Sequence, residues 1–190
     1  MTAAPAYTIV LDWLEAELRS GAVVVGDKLP GERTLAERFG ISRASVREAT
    51  RMLEAMGLIR ASAGSGPNSG AVVVSEPSAA LGWALRLHIA TRSLPMADVV
   101  AARVLLETDA AQAAAATSGD PESVAVLAEA EALLDRMDDP ALPEEDFHLL
   151  DTEFHVRLAT LGGNVVTAMM LDSLRQATIG YVTELSLIHI

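Results

Sequence analysis

Cysteine is absent from all 190 residues. Disulfides and thiolate-held metal sites are therefore excluded, and a reducing cytoplasm suits the sequence. Aromatic side chains make up only 4%, although 51% of residues are hydrophobic. With so few rings and so much alanine in the second half, helices packed through small side chains are favoured over a β-sandwich. No basic start precedes an apolar run in Met1–Val10, so no secretory signal is read. Long uninterrupted apolar runs are also missing. Ala79–Ala90 carries Arg86, and Val99–Ala116 carries Arg103, Glu107 and Asp109, so neither is expected to span a membrane. Positive charge is scarce, at 14 Lys and Arg against 26 Asp and Glu, for a net charge of −12.

That balance argues against a nucleic-acid partner until its distribution is considered. Residues 28–60 hold seven basic and four acidic side chains, whereas residues 76–190 hold six basic and eighteen acidic ones. A locally basic face is what phosphate neutralisation requires, whatever the charge of the whole chain.

The basic stretch has the pattern of two helices around a tight turn. Leu35, Ala36 and Phe39 give the first helix an apolar face, and Gly31 stands at its start. Gly40 ends it by accepting a left-handed conformation. Ser42 caps a second helix through its hydroxyl, with Val46, Ala49, Met52, Leu53 and Met56 as the buried stripe and Gly57 as the stop. This is a helix-turn-helix pattern, in which the start of the second helix enters the DNA major groove. Ser42, Arg43, Ser45 and Arg47 occupy that start.

Around it, a helix is expected from Pro5 to Ser20, with Ile9, Val10, Trp13, Leu14 and Leu18 at helical spacing and Gly21 closing it. Leu58–Ala61 and Ala71–Ser75 have the pattern of a two-stranded ribbon joined by a turn-rich loop over 64–70. Three helices and a ribbon make a winged helix, with a core of Ile9, Trp13, Leu35, Phe39, Val46 and Leu53. Glu76-Pro77-Ser78 marks a boundary, giving domains 1–75 and 76–190. The second domain is expected to be all helix: Ser78–Thr91, Ser93 to about Thr117, Asp120 to about Met137, Pro143 to Gly162, and a fifth helix capped by Asn164.

Residues 8–74 resemble the DNA-binding domain of the GntR family of bacterial transcription regulators. The matching residues are Gly26-Asp27-Lys28-Leu29-Pro30, Glu32-Arg33, Leu35-Ala36, Phe39-Gly40-Ile41-Ser42-Arg43, Val46-Arg47-Glu48-Ala49, Leu53, Gly57-Leu58-Ile59, Gly64 and Gly66. The resemblance implies that Arg33, Arg43 and Arg47 meet DNA, with Ser42 and Ser45 helping, and that a wing near Gly66 reaches the minor groove. Two positions depart from the family pattern: Gly31 and Ser62 stand where it has serine and arginine.

In the second domain, Asp151 and His155 lie four apart and leave one helix face, a spacing that can offer oxygen and nitrogen ligands to one divalent ion or form a surface hydrogen bond. His148 lies at the margin of that face and has the pattern of a helix-surface histidine. Arg103, Leu106-Glu107, Ala110-Ala111, Asp151-Thr152-Glu153-Phe154-His155, Leu158-Ala159 and Gly163-Asn164 resemble the FCD effector domain of the FadR-type branch of the same family. That resemblance implies Asp151 and His155 as metal ligands beside two later histidines, and Arg103 facing a carboxylate effector. Those later histidines are expected some 50 and 70 residues after His155. Either a truncated domain with a foreign tail over 185–190 or a shortened domain is therefore expected, in both cases holding zinc weakly.

The leading expectation is a cytoplasmic, homodimeric regulator that binds a double-stranded operator under control of a small carboxylate. The alternatives are a metalloenzyme centred on His148, Asp151 and His155, and an effector-independent DNA-binding module.

Overall fold

Glycine punctuation and one serine cap set the helix boundaries of the first unit. In the computed structural model, residues 5–61, 71–117, 119 and 121–188 are described, and the chain divides into two units, Met1–Pro77 and Ser78–Ile190. Helix α1 runs Thr8–Ser20 and closes on Gly21 at φ 74°. Helix α2 spans Glu32–Phe39 and closes on Gly40 at φ 64°, the left-handed cap that the sequence pattern requires. Helix α3 spans Arg43–Ala55, with Ser42 as its N-cap.

Strands β1 (Ile59–Ala61) and β2 (Ala71–Val73) pair antiparallel, Ile59 opposite Val73. β2 is two residues shorter than the expected ribbon strand. A third edge comes from the link before α2. Gly26 N–H donates to the Val73 carbonyl at 2.9 Å, Val73 N–H to the Asp27 carbonyl at 2.8 Å, and Leu29 N–H to the Ala71 carbonyl at 2.8 Å. The turn-rich loop, with Ser62, Gly64 and Gly66, lies outside the described residues, as does Asp120.

The core of this unit differs by one helical position from the expected one. Val10 and Leu14 are the buried residues of α1, whereas Ile9 is 42% exposed. Both sets fit a 3.6-residue period, and only packing selects between adjacent stripes. Val10 packs with Leu35, Ala36, Val46 and Ala49, and Trp13 and Phe39 lie half-buried against them. Leu14, Leu29, Leu53, Ile59 and Val73 form a second cluster that fixes the ribbon to α3. Met56, expected in the buried stripe, is 47% exposed because α3 ends at Ala55.

The described residues of the second unit form helices joined by short links: α4 (Pro77–Ala90), α5 (Met96–Thr117), α6 (Pro121–Met137), α7 (Glu144–Leu161) and α8 (Val165–Ile188). The first residue of α4 falls in the preceding unit. Alanine makes the closest packing possible. Ala110, Ala159 and Ala168 cluster with Leu171 and bring α5, α7 and α8 together. At Gly162 a Cβ would lie 2.9 Å from that of Ala113, so the end of α7 rests on α5 with no room for a side chain. Asn164 caps α8, its side-chain oxygen accepting from Val166 and Thr167 N–H at 3.1 and 3.2 Å. Glu144, Glu145 and Asp146 stand in the first turn of α7, against the positive end of its dipole.

Candidate nucleic-acid interface and effector site

The first site is the exposed face of α3. Ser42 Oγ accepts the Ser45 N–H at 3.1 Å and lies 3.0 Å from Ser45 Oγ, so both hydroxyls are held at the helix start. Arg43 and Arg47 follow, exposed and one turn apart. Arg47 Nε lies 3.6 Å from Glu32 on α2, and Arg33 Nε lies 4.0 Å from Glu37. Both pairs are well solvated and therefore weak, so a phosphate can displace the carboxylate. Arg38 behaves differently. Its guanidinium stacks 4.9 Å from the Trp13 ring and 3.5 Å from Glu17, which also accepts the Trp13 indole N–H at 2.7 Å. Arg38 therefore joins α1 to α2.

An open hollow of about 580 Å³ runs along α3, lined by Ala44, Arg47, Glu48, Arg51, Met52 and Ala55. Arg51 is exposed and continues the four-residue spacing of Arg43 and Arg47. The sequence reading omitted it, although that spacing alone marks it out.

The second site lies within the helical unit. Asp151 and His155 face each other on α7, with His155 Nε2 3.5 Å from Asp151 Oδ1. The other Asp151 oxygen accepts from Nη1 of Arg175 on α8. Arg175 is buried, with 3% of its side chain exposed, and its Nη2 donates to Glu107 of α5 at 2.6 Å. Arg103 lies against the same Glu107 oxygen, its Nε at 3.0 Å, and donates through Nη1 to Thr178 at 3.2 Å. The Asp151 carboxyl is held down to about 2. The His155 ring N–H beside it is the largest cause, the Arg175 guanidinium adds to it, and burial works in the opposite direction. His148 does not join the group. Its Nε2 is buried 3.7 Å from Glu144 on its own helix.

Residues 6–67 match the gntR family of bacterial regulatory proteins, and residues 98–187 match the FCD domain. The chain belongs to the gntR family. It is 32% identical over 175 residues to the Uxu operon regulator of Haemophilus influenzae, covering 90% of this chain and 59% of that protein. It is 28% identical over 163 residues to the Exu regulon transcriptional regulator of Escherichia coli, covering 85% of this chain and 58% of that protein. The chain thus spans rather more than half the length of these relatives. Among solved structures, a GntR protein of Streptococcus agalactiae is similar in fold, with a TM-score of 0.55 at 24% identity over 95% of this chain and 84% of that one. These relatives are regulators, so the metalloenzyme alternative is set aside.

Of the residues expected at the DNA face, Ser42, Arg43, Ser45 and Arg47 share the start of α3, and Arg33 lies on α2. Gly66 lies outside the described residues. In the gntR chain's second unit, Arg103 is engaged by Glu107 and Thr178. Arg175 was missed by sequence reading because its partners lie 24 and 68 residues away.

The divalent metal implied by the FCD resemblance does not fit these residues as they are placed. One Asp151 oxygen is taken by a guanidinium and the other faces His155. No group of three His, Cys, Asp or Glu suited to a metal occurs among the described residues.

Proposed function

We propose that this gntR-family chain is a sequence-specific DNA-binding transcription regulator, with its winged-helix unit on a double-stranded operator and its FCD unit binding a small carboxylate metabolite. It works in the cytoplasm as a homodimer, each copy reading one half-site. The observation that carries the reading is the Ser42-capped start of α3 with Arg43, Arg47 and Arg51 exposed along one side. Effector control requires only that the carboxylate bind one arrangement of the dimer better than another. Arg103 receives the carboxylate by giving up Glu107. Zinc has two candidate ligands, Asp151 and His155, and is weakly held at most.

The reading is tested by selecting bound duplexes from a random library and titrating the selected site by fluorescence anisotropy. Arg43→Ala or Arg47→Ala should cost about 5–150-fold against the selected site and abolish preference for it. Arg51→Ala and Arg33→Ala should weaken all sequences alike and lower the salt slope by about one unit. Unchanged preference in both Arg43→Ala and Arg47→Ala would remove α3 from the groove. If no carboxylate in a metabolite panel alters the affinity, the chain is an effector-independent DNA-binding module.

A further inference from the structure

Three helices that share an alanine-rich core bring two guanidinium groups and two carboxylates into one cluster. Arg175 from α8 is its centre. It is almost fully buried, with Nη1 on Asp151 of α7, Nη2 on Glu107 of α5, and Nε without a hydrogen-bond partner among the described residues. Arg103 adds a second positive charge against Glu107, and Thr178 completes the contact. A buried charge is tolerated only where partners match it in place. Here Arg103 and Arg175 balance Glu107 and Asp151, and no negative charge remains to receive a dication.

A divalent ion needs its carboxylate ligand deprotonated and accessible. Asp151 is deprotonated but already held, and zinc about 2 Å from its oxygen would stand against the guanidinium that occupies it. We propose that Arg175 is a built-in cation that takes the place of a divalent metal in this domain. It neutralises Asp151 and, through Glu107, ties α7 and α8 to α5. The helical unit then holds together without metal, and zinc at Asp151 and His155 competes with Arg175. This inference does not depend on the DNA-binding reading.

The test uses thermal melts followed by circular dichroism, with EDTA or with zinc, and zinc calorimetry on the 190-residue chain. Neither additive should move the wild-type melting temperature, and no stoichiometric zinc binding should appear at micromolar concentration. Arg175→Met leaves Asp151 without its guanidinium and Glu107 with Arg103 alone, and should lower the melting temperature by on the order of 10 °C. The same substitution frees Asp151, so zinc should bind at least about tenfold more tightly than to wild type and restore part of that loss. The triple variant Arg175→Met, Glu107→Gln, Asp151→Asn removes both carboxylates together with Arg175, leaves Arg103 as the cluster's remaining charge, and should not respond to zinc. Tight stoichiometric zinc binding by the wild type, with EDTA lowering its melting temperature, would overturn the proposal. So would a single variant whose zinc affinity matches that of the wild type. If the single variant does not fold, the wild-type and triple-variant responses decide.

Discussion

Among the described glycines, Gly57 is the position where one added carbon does the most damage to the DNA-binding unit. It follows α3 with φ at +70°, and a Cβ there would lie 2.2 Å from the Glu76 carbonyl oxygen and 2.9 Å from its carbon. The obstacle is backbone, so it cannot rotate away. The chain after β2 would have to move, stretching the Glu76 N–H bond to the Gly57 carbonyl at 2.9 Å and the Val74 N–H bond to the Leu58 carbonyl at 2.8 Å. The left-handed conformation costs alanine about 1–2 kcal/mol, overpacking about 1–3 kcal/mol, and a weakened hydrogen bond about 1 kcal/mol. Gly57→Ala should therefore destabilise the unit by roughly 3–6 kcal/mol.

Gly21 isolates the conformational part, since it has φ +74° and no atom within 4 Å of the point a Cβ would occupy. Gly21→Ala should lose only about 1–2 kcal/mol. The chain has two tryptophans, Trp13 in this unit and Trp83 in α4. In a Trp83→Phe background, denaturant unfolding followed by Trp13 fluorescence reports the first unit alone. Glycine variants that agree to within about 0.5 kcal/mol, well below the overpacking cost, would rule out a backbone clash at Gly57.

Two further outcomes follow from the caps and charges. Ser42→Ala removes the acceptor of the Ser45 N–H and should cost about 1 kcal/mol in the same unfolding assay, with a loss of operator affinity in anisotropy because Arg43 begins the frayed turn. Asp151 has a carboxyl lowered from 3.8 to about 2 on folding. Its stabilisation is therefore fully present above 3.8 and lost as the pH falls towards 2. Unfolding of wild type and Asp151→Asn at stepped pH should show a gap that is constant above about pH 4 and closes below it, and a gap that widens in acid would reverse the assignment.

The first unit was legible because its determinants are local. Ser42 and Gly40 act within a few residues of themselves, and the apolar spacing of Val46, Ala49 and Leu53 sits in one helix. What escaped was decided between elements. Ile9 and Val10 fit one helical pattern equally well, and α2 with α3 chose Val10. The third edge at Gly26–Leu29 shows no strand alternation, since its bonds come from β2. Arg175 is the same case in charge. One signal was available: Leu171, Leu174 and Thr178 place it on a buried face of α8, where a guanidinium must find carboxylates. Which carboxylates depended on the fold.

Arginine thus does two opposite jobs in this chain, and solvent decides between them. On α2 and α3, Arg33 and Arg47 have carboxylate neighbours at 4.0 and 3.6 Å, but water screens both pairs. A phosphate costs such an arginine little to accept, since it exchanges one solvated anion for another. Those acids also moderate the attraction of α2 and α3 for any duplex, which leaves base contacts a larger share of the binding. On α8, Arg175 has the same chemistry without the water. Its partners are exchanged only at the cost of a buried, unmatched charge, so it holds one arrangement. An effector carboxylate that displaced Glu107 from Arg103 would leave Glu107 on Arg175 alone. Binding at Arg103 would therefore be felt along α5 and α8 together, through a cluster too costly to leave half-matched. That gives a small anion at Arg103 a route to repacking three helices.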